Sequence, residues 1–182
     1  GGKHESLDVR SLCLIRETLA RYDALADFSF AMQGLGSGAI SLYGNSEQKQ
    51  NILEEVSAGR MIAGFALSEP DAGSDVAAMN SKAFSTTEGW KVNGEKSWIS
   101  NGGIADYYTL FAKTSDQPGS GGISAFLLKA DNPGLSIAER QEVMAPHPLA
   151  RLQLKDAELS HQALLGEEGK GFGIAMATLN IF

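Results

Sequence analysis

Apolar residues recur at helical spacing near the start of the chain: Leu12, Ile15, Leu19 and Tyr22, then Leu25, Phe28, Met32, Leu35, Ala39 and Leu42, in steps of three and four. A helical run over residues 7–42 is expected. Asn45 or Ser46 can accept an amide hydrogen in the first turn of a further helix, and Ala58-Gly59 supplies a stop behind Ile52, Leu53 and Val56. Beyond Arg60 the period shortens to two or gives way to β-branched runs, which predicts strands at 61–67, 90–92, 107–112, 122–128 and 149–154. Turn signals separate them. Asn93-Gly94 is the favoured pair for a two-residue hairpin, Asn101-Gly102-Gly103 and Asn132-Pro133-Gly134 break the chain, and residues 118–122 form a flexible loop. Many short strands at this spacing imply an antiparallel barrel or sandwich. Helical spacing returns with Phe172, Ala175, Met176 and Leu179, and no C-cap follows it before Phe182.

The predicted fold class is therefore α+β: a partial N-terminal α-helical domain over 1–62, an antiparallel β-barrel-like middle domain over 63–168, and the start of a C-terminal helical domain over 169–182. The abrupt Gly1-Gly2 opening and the uncapped final pattern read as a fragment of a longer protein.

Composition agrees with a globular chain: 182 residues, 43% hydrophobic and 20% charged. The net charge of −7 is dispersed, which speaks against a nucleic-acid surface. No apolar run approaches the ~20 residues a bilayer span needs, and residues 1–5 carry no hydrophobic signal-peptide core, so no membrane partner is expected and a cytoplasmic or mitochondrial-matrix location is the default. Cys13, alone among Leu12, Leu14 and Ile15, is expected to be a buried structural thiol.

Several motifs fail on inspection. Gly34-Leu35-Gly36-Ser37-Gly38 sits inside a helical period with no preceding strand, so close helix packing explains it better than a dinucleotide loop. Gly166 to Gly171 has the wrong spacing for a phosphate loop and reads as a turn entering a helix. His4, His147 and His161 lack the spacing of a metal pair and read as surface or loop residues; no metal is expected. The acids Glu139, Glu142, Glu167 and Glu168 read as solvated.

The chemistry-bearing stretch is the strand Ala63 to Ser68 feeding directly into E-P-D-A-G-S-D-V. Pro70 fixes one φ angle, Gly73 permits a conformation closed to other residues, and Ser68, Ser74 and Asp75 offer short polar side chains. Such a loop presents amides to a phosphate or a polar ring edge; on physics alone an ordinary turn with Asx and Ser capping is equally good. Lys96 to Gly103 is the second element. Two-residue spacing puts Trp98 and Ser100 on one strand face, which suits stacking on a planar heteroaromatic ligand, although a core tryptophan is the commoner role.

Taken together and in this order, these segments resemble the acyl-CoA dehydrogenase family, whose signature is an aromatic-x-x-Thr/Ser-Glu-Pro-x-Ala-Gly-Ser-Asp run followed by Trp-Ile-Thr/Ser-Asn-Gly. The likeness extends to Y-G-N-S-E-Q-K-Q from Tyr43, G-I-S-A-F-L-L from Gly122 and L-L-G-E-E-G-K-G-F from Leu164. The resemblance implies an FAD cofactor, with Phe65, Ala66, Leu67 and Ser68 along the flavin ring, Gly73 and Ser74 at its pyrophosphate, and Trp98, Ile99 and Ser100 completing the wall. Ser74 would also touch the acyl-CoA. It implies dehydrogenation of an acyl-CoA to a trans-2-enoyl-CoA, electrons leaving to an electron-transfer flavoprotein, and a homodimer or homotetramer. The family's catalytic glutamate belongs to the C-terminal helical domain, so no catalytic residue is assigned in this chain, and Glu69 is expected to be structural. Asp71, where the family often has glycine, is expected to face solvent. M-A-P-H-P-L from Met144 departs from the family's Gly-x-Arg-Gly/Ser stretch, which leaves acyl-chain preference open. An acyl-CoA oxidase or nitroalkane-oxidase-like flavoenzyme, and a non-catalytic helical/β binding scaffold, are the alternatives.

Overall fold

The computed structural model of the protein describes residues 7–182; His4 lies outside them. The expected single helical run is two helices. Asp8 caps α1 (Val9–Tyr22), and Asp23, in an extended conformation, ends it and opens α2 (Ala24–Tyr43) by accepting from the Leu25 and Ala26 amides. The apolar period ran across that break because the break costs only one residue. Arg16 joins the pair through two 2.9 Å bonds to the Asp27 carboxylate. No residue of α1 is buried and Cys13 is exposed, which corrects the expected buried thiol.

The glycines of α2 are packing glycines. An added Cβ would stand 2.2 Å from the Phe182 ring at Gly34, 2.9 Å from it at Gly38, and 2.6 Å from the Ala63 Cβ at Gly36. Backbone contact on two sides of one helix needs that missing atom. Asn45 then closes a capping box with Gln48 to open α3 (Ser46–Gln48), which runs through a π turn at Lys49–Leu53 into α4 (Glu54–Ser57); Gly59, at φ +71°, ends it.

Eight strands follow: β1 (Ala63–Ala66), β2 (Lys82–Ser85), β3 (Gly89–Ser100), β4 (Tyr107–Lys113), β5 (Ile123–Lys129), β6 (Leu135–Gln141), β7 (Leu149–Ser160) and β8 (Leu164–Leu165). They form one sheet in the order β6-β7-β3-β2-β4-β5-β8, with β1 joined to β4. Most pairings are antiparallel as expected, but β1–β4 and β2–β4 are parallel. β2 and β6 escaped the pattern; β6 has no buried residue, so it shows little apolar alternation.

The predicted hairpin at Asn93-Gly94 does not form. β3 passes straight through it, with a register shift against β7 between Val92 and Gly94. Gly94 sits at φ +153°, and a Cβ there would lie 2.2 Å from Ser81 Oγ, so the pair makes a bulge under a crossing segment instead of a turn. One core, containing Trp90, Ile99, Tyr108, Phe126 and Leu152, fills one side of the sheet. The other, containing Ile40, Leu67, Tyr107, Phe111 and Ile174, lies toward α2 and α5 (Gly171–Leu179). Gly166 and Gly169, at φ +69° and +75°, turn the chain into α5. That helix stops at Leu179 with Asn180 as its C-cap, so the final pattern is not an unbroken helix to Phe182.

Candidate functional site

Strand alternation on β1 sorts the signature residues. Phe65 and Leu67 belong to the side facing α2, while Ala66 is fully buried in the opposite core. The Ala66 side chain is therefore turned into the opposite core and away from the cleft, which corrects its place among the ring-lining residues. Phe65 packs against Phe111 with ring centroids 4.9 Å apart.

A cleft of about 240 Å³ opens where β1 runs out. Phe65, Leu67, Ser68, Gly73 and Val76 line it from the signature, Trp98, Ile99 and Ser100 from β3, and Met32, Leu35 and Leu179 from the helices. It has room for a ring system, not for a whole dinucleotide. Seven of the nine cofactor residues expected from sequence thus meet at one cleft; besides Ala66, Ser74 lies outside the lining and is exposed. Gly73 does not use the left-handed conformation that its type permits, and a Cβ built on it meets nothing within 4 Å. Its glycine leaves open space at the cleft rather than relieving the backbone.

The tryptophan reaches the cleft by a bulge. Lys96 pairs with Leu152 and Ile99 with Ala150, so Ser97 and Trp98 together oppose Arg151. Trp98 sits at φ +60°, a left-handed conformation rare for a bulky residue, and the residue is 60% exposed. The same geometry explains why Trp98 is not a core tryptophan: Trp90 is, at 7% exposed. Gln141 Oε1 accepts the Trp98 amide at 2.9 Å and its Nε2 reaches Ser97 Oγ, while the Ser97 amide donates to the Ser68 carbonyl at 2.9 Å.

Beneath the loop lies a buried ion pair that sequence reasoning missed on one side. Lys96 Nζ donates to Glu69 Oε1 at 2.8 Å and to the Leu67 carbonyl at 3.1 Å. The Asn80 and Ser81 amides donate to the same carboxylate. Burial pushes the Lys96 ammonium down to about 8 against the pull of Glu69. For Glu69, burial works to raise the carboxyl, but Lys96 and the two amides outweigh it and hold it below the usual range. Glu69 is structural, as expected, and Asp71 is exposed. Lys96 stands two residues before Trp98 in the same element, but nothing in the pattern marks it as buried.

His147 lies in a loop, one of the two places expected for it, and is half-buried there with its Nε2 2.9 Å from Ser100 Oγ. Among the described residues, no carboxylate lines the cleft. Among the described residues, no cluster of metal-ligating side chains occurs, and no helix is long and apolar enough to cross a membrane. A larger groove of about 700 Å³ between α3 and the ends of β5 and β7 contains none of the signature residues.

Comparison with known proteins agrees with this arrangement. Residues 64–157 match the acyl-CoA dehydrogenase middle domain and residues 1–60 its N-terminal domain. A probable acyl-CoA dehydrogenase, FadE25, of Mycobacterium tuberculosis is 35% identical over 97% of this chain and 46% of its own length. The butyryl-CoA dehydrogenase structure from Megasphaera elsdenii superposes with a TM-score of 0.89 at 36% identity, covering 95% of this chain and 46% of that one. An FAD complex of PigA superposes at 0.91 with 30% identity, over 96% and 47% of the two chains. The chain spans about half the length of the relatives it matches. On the middle-domain match and the cleft its signature builds, this chain belongs to the acyl-CoA dehydrogenase family.

Proposed function

We propose that this chain forms the FAD-binding wall of an enzyme that dehydrogenates an acyl-CoA thioester to the trans-2-enoyl-CoA. The observation that carries the reading is the convergence of Trp98, Ser68, Ser100 and the open Gly73 position on one cleft. A flavin ring is flat, apolar on its faces and polar along its pyrimidine edge, so it fits a wall of Phe65, Leu67, Trp98 and Ile99 with hydroxyls at the rim. Gly73 leaves the loop backbone open to close approach, and the exposed Ser74 beside it is the proposed contact for a pyrophosphate or the acyl-CoA.

When bound, FAD accepts the substrate's β hydride as its α proton leaves. In this reading the residues of this chain orient, exclude water and hydrogen-bond, and the proton goes to a group outside the cleft wall. A glutamate from the family's C-terminal helical domain is the proposed base. Electron-transfer flavoprotein is the proposed acceptor, a homodimer or homotetramer the proposed assembly, and cytoplasm or mitochondrial matrix the proposed location.

The test is colour and its loss. The full-length gene product should carry flavin absorbance and bleach anaerobically with an acyl-CoA. A colourless protein that FAD does not reconstitute would refute the reading, and rapid reoxidation by air during turnover would favour an oxidase.

A further inference from the structure

The M-A-P-H-P-L segment, where the chain departs from its family's pattern, is fastened to the end of the cofactor wall. The Pro148 carbonyl accepts the Asn101 amide at 2.9 Å, and the His147 amide closes a tight turn onto the Ala145 carbonyl at 2.7 Å. The imidazole is then fixed from two sides. Phe28 of α2 meets it edge-on, with centroids 4.2 Å apart and planes at 61°, and Ser100 Oγ stands 2.9 Å from its Nε2. Ser100 is itself a lining residue of the cleft.

A serine hydroxyl has one proton and two lone pairs, and an imidazole nitrogen either donates or accepts according to tautomer and charge. We propose that His147 is a positioning residue for the cofactor cleft, setting whether the Ser100 hydroxyl donates to, or accepts from, the edge of a ring bound there. With Nε2 bare, Ser100 gives it the proton and turns lone pairs to the cleft. With the ring protonated, Nε2 only donates, and the Ser100 proton is free for an acceptor in the cleft. This rests on the flavin reading: a ring that is an acceptor when oxidised and carries an additional N–H when reduced needs a wall hydroxyl able to serve both.

Burial lowers the His147 pKa, so the neutral, reversible form prevails near neutrality. No charged neighbour contributes to that shift. Phe28 and Ser100 are the contacts from α2 and β3; Asp27, beside Phe28, is engaged by Arg16, and Glu142 at the start of the loop is exposed.

The experiment uses the full-length gene product with Ser100→Ala, His147→Phe, which keeps the ring packed on Phe28, and His147→Gln, which does not titrate. The visible spectrum and Kd of bound FAD are followed across the range in which histidine titrates. A single spectral transition is expected in the unsubstituted protein and its loss in all three variants. FAD affinity should fall about three- to tenfold in each, as for one hydrogen bond, and Ser100→Ala/His147→Phe should bind no more weakly than either alone. In the cofactor-free protein, the histidine ring NMR signal that disappears in His147→Phe should titrate at higher pH in Ser100→Ala, where the neutral ring has lost its donor. A spectral transition that survives in His147→Phe, or a ring titration unmoved by Ser100→Ala, overturns the assignment while leaving the flavin reading intact. Failure of the unsubstituted protein to bind FAD overturns both.

Discussion

Lys96 Nζ lies 2.8 Å from Glu69 Oε1, with the two side chains 0% and 4% exposed. Lys96 is in the second chemistry-bearing element and Glu69 in the first, so the pair bolts the signature loop to β3 directly below the cleft. Its third partner, the Leu67 carbonyl, is the strand exit itself.

Removing one partner of such a pair leaves a buried charge without compensation. Lys96→Met or Glu69→Ala should destabilise the protein by about 3–5 kcal/mol, read as a fall in the chemical-denaturation midpoint. FAD retention should fall with it. A stability loss no larger than that of an exposed pair such as Arg60–Glu55 would show that the bolt is incidental.

The same pair shapes the acid limb of stability. Glu69 is held below the ordinary glutamate range in the folded protein. Its contribution is therefore complete above the unfolded carboxyl's pKa and is lost as pH falls through the lower folded value. Denaturation midpoints of the unsubstituted protein should drop over that acid window, and Glu69→Gln, with no carboxylate to titrate, should be less stable at neutral pH and flatter below it. Parallel pH profiles would contradict the assignment.

The helices, the strand-rich region and the meeting of seven of the nine candidate residues at one cleft were legible because each rests on local pattern: apolar spacing, Asn45 as a cap, and the order of two motifs. What was not legible depends on segments that meet only in three dimensions. Asn93-Gly94 reads as a hairpin until Ser81 crosses over it. Gly73 looks like a glycine demanded by its backbone, yet its φ is not left-handed and the space around it is open. Trp98 reaches the cleft because two residues of β3 oppose one of β7, a count no single strand carries. Lys96 and His147 have unremarkable sequence neighbours and acquire their roles from Glu69 and Ser100, far away in the chain.

The two tryptophans should separate function from stability. Trp90 is buried against Phe126, with centroids 5.4 Å apart, so Trp90→Ala should cost about 3–5 kcal/mol of stability. Trp98 is exposed and strained, so Trp98→Ala should change the denaturation midpoint little and weaken FAD retention far more than Trp90→Ala does in its folded fraction. Equal FAD affinity in the two folded variants would place the flavin ring elsewhere.

Glycine substitutions give the complementary contrast. At Gly36 a Cβ would press within 2.6 to 3.0 Å of Ala63 and the Gly64 backbone, and neither can move without parting α2 from β1. Gly36→Ala should therefore destabilise by about 1–3 kcal/mol. At Gly73 the φ angle is not left-handed and the surroundings are empty, so Gly73→Ala should be neutral or stabilise by about 0.4–1 kcal/mol through the unfolded chain. If the cleft holds a flavin, that methyl group occupies space the cofactor needs. FAD affinity should then fall in Gly73→Ala, and further in Gly73→Val, while denaturation midpoints of the cofactor-free proteins stay level or rise. Undiminished affinity in Gly73→Val would mean that the loop at Gly73 does not approach the cofactor.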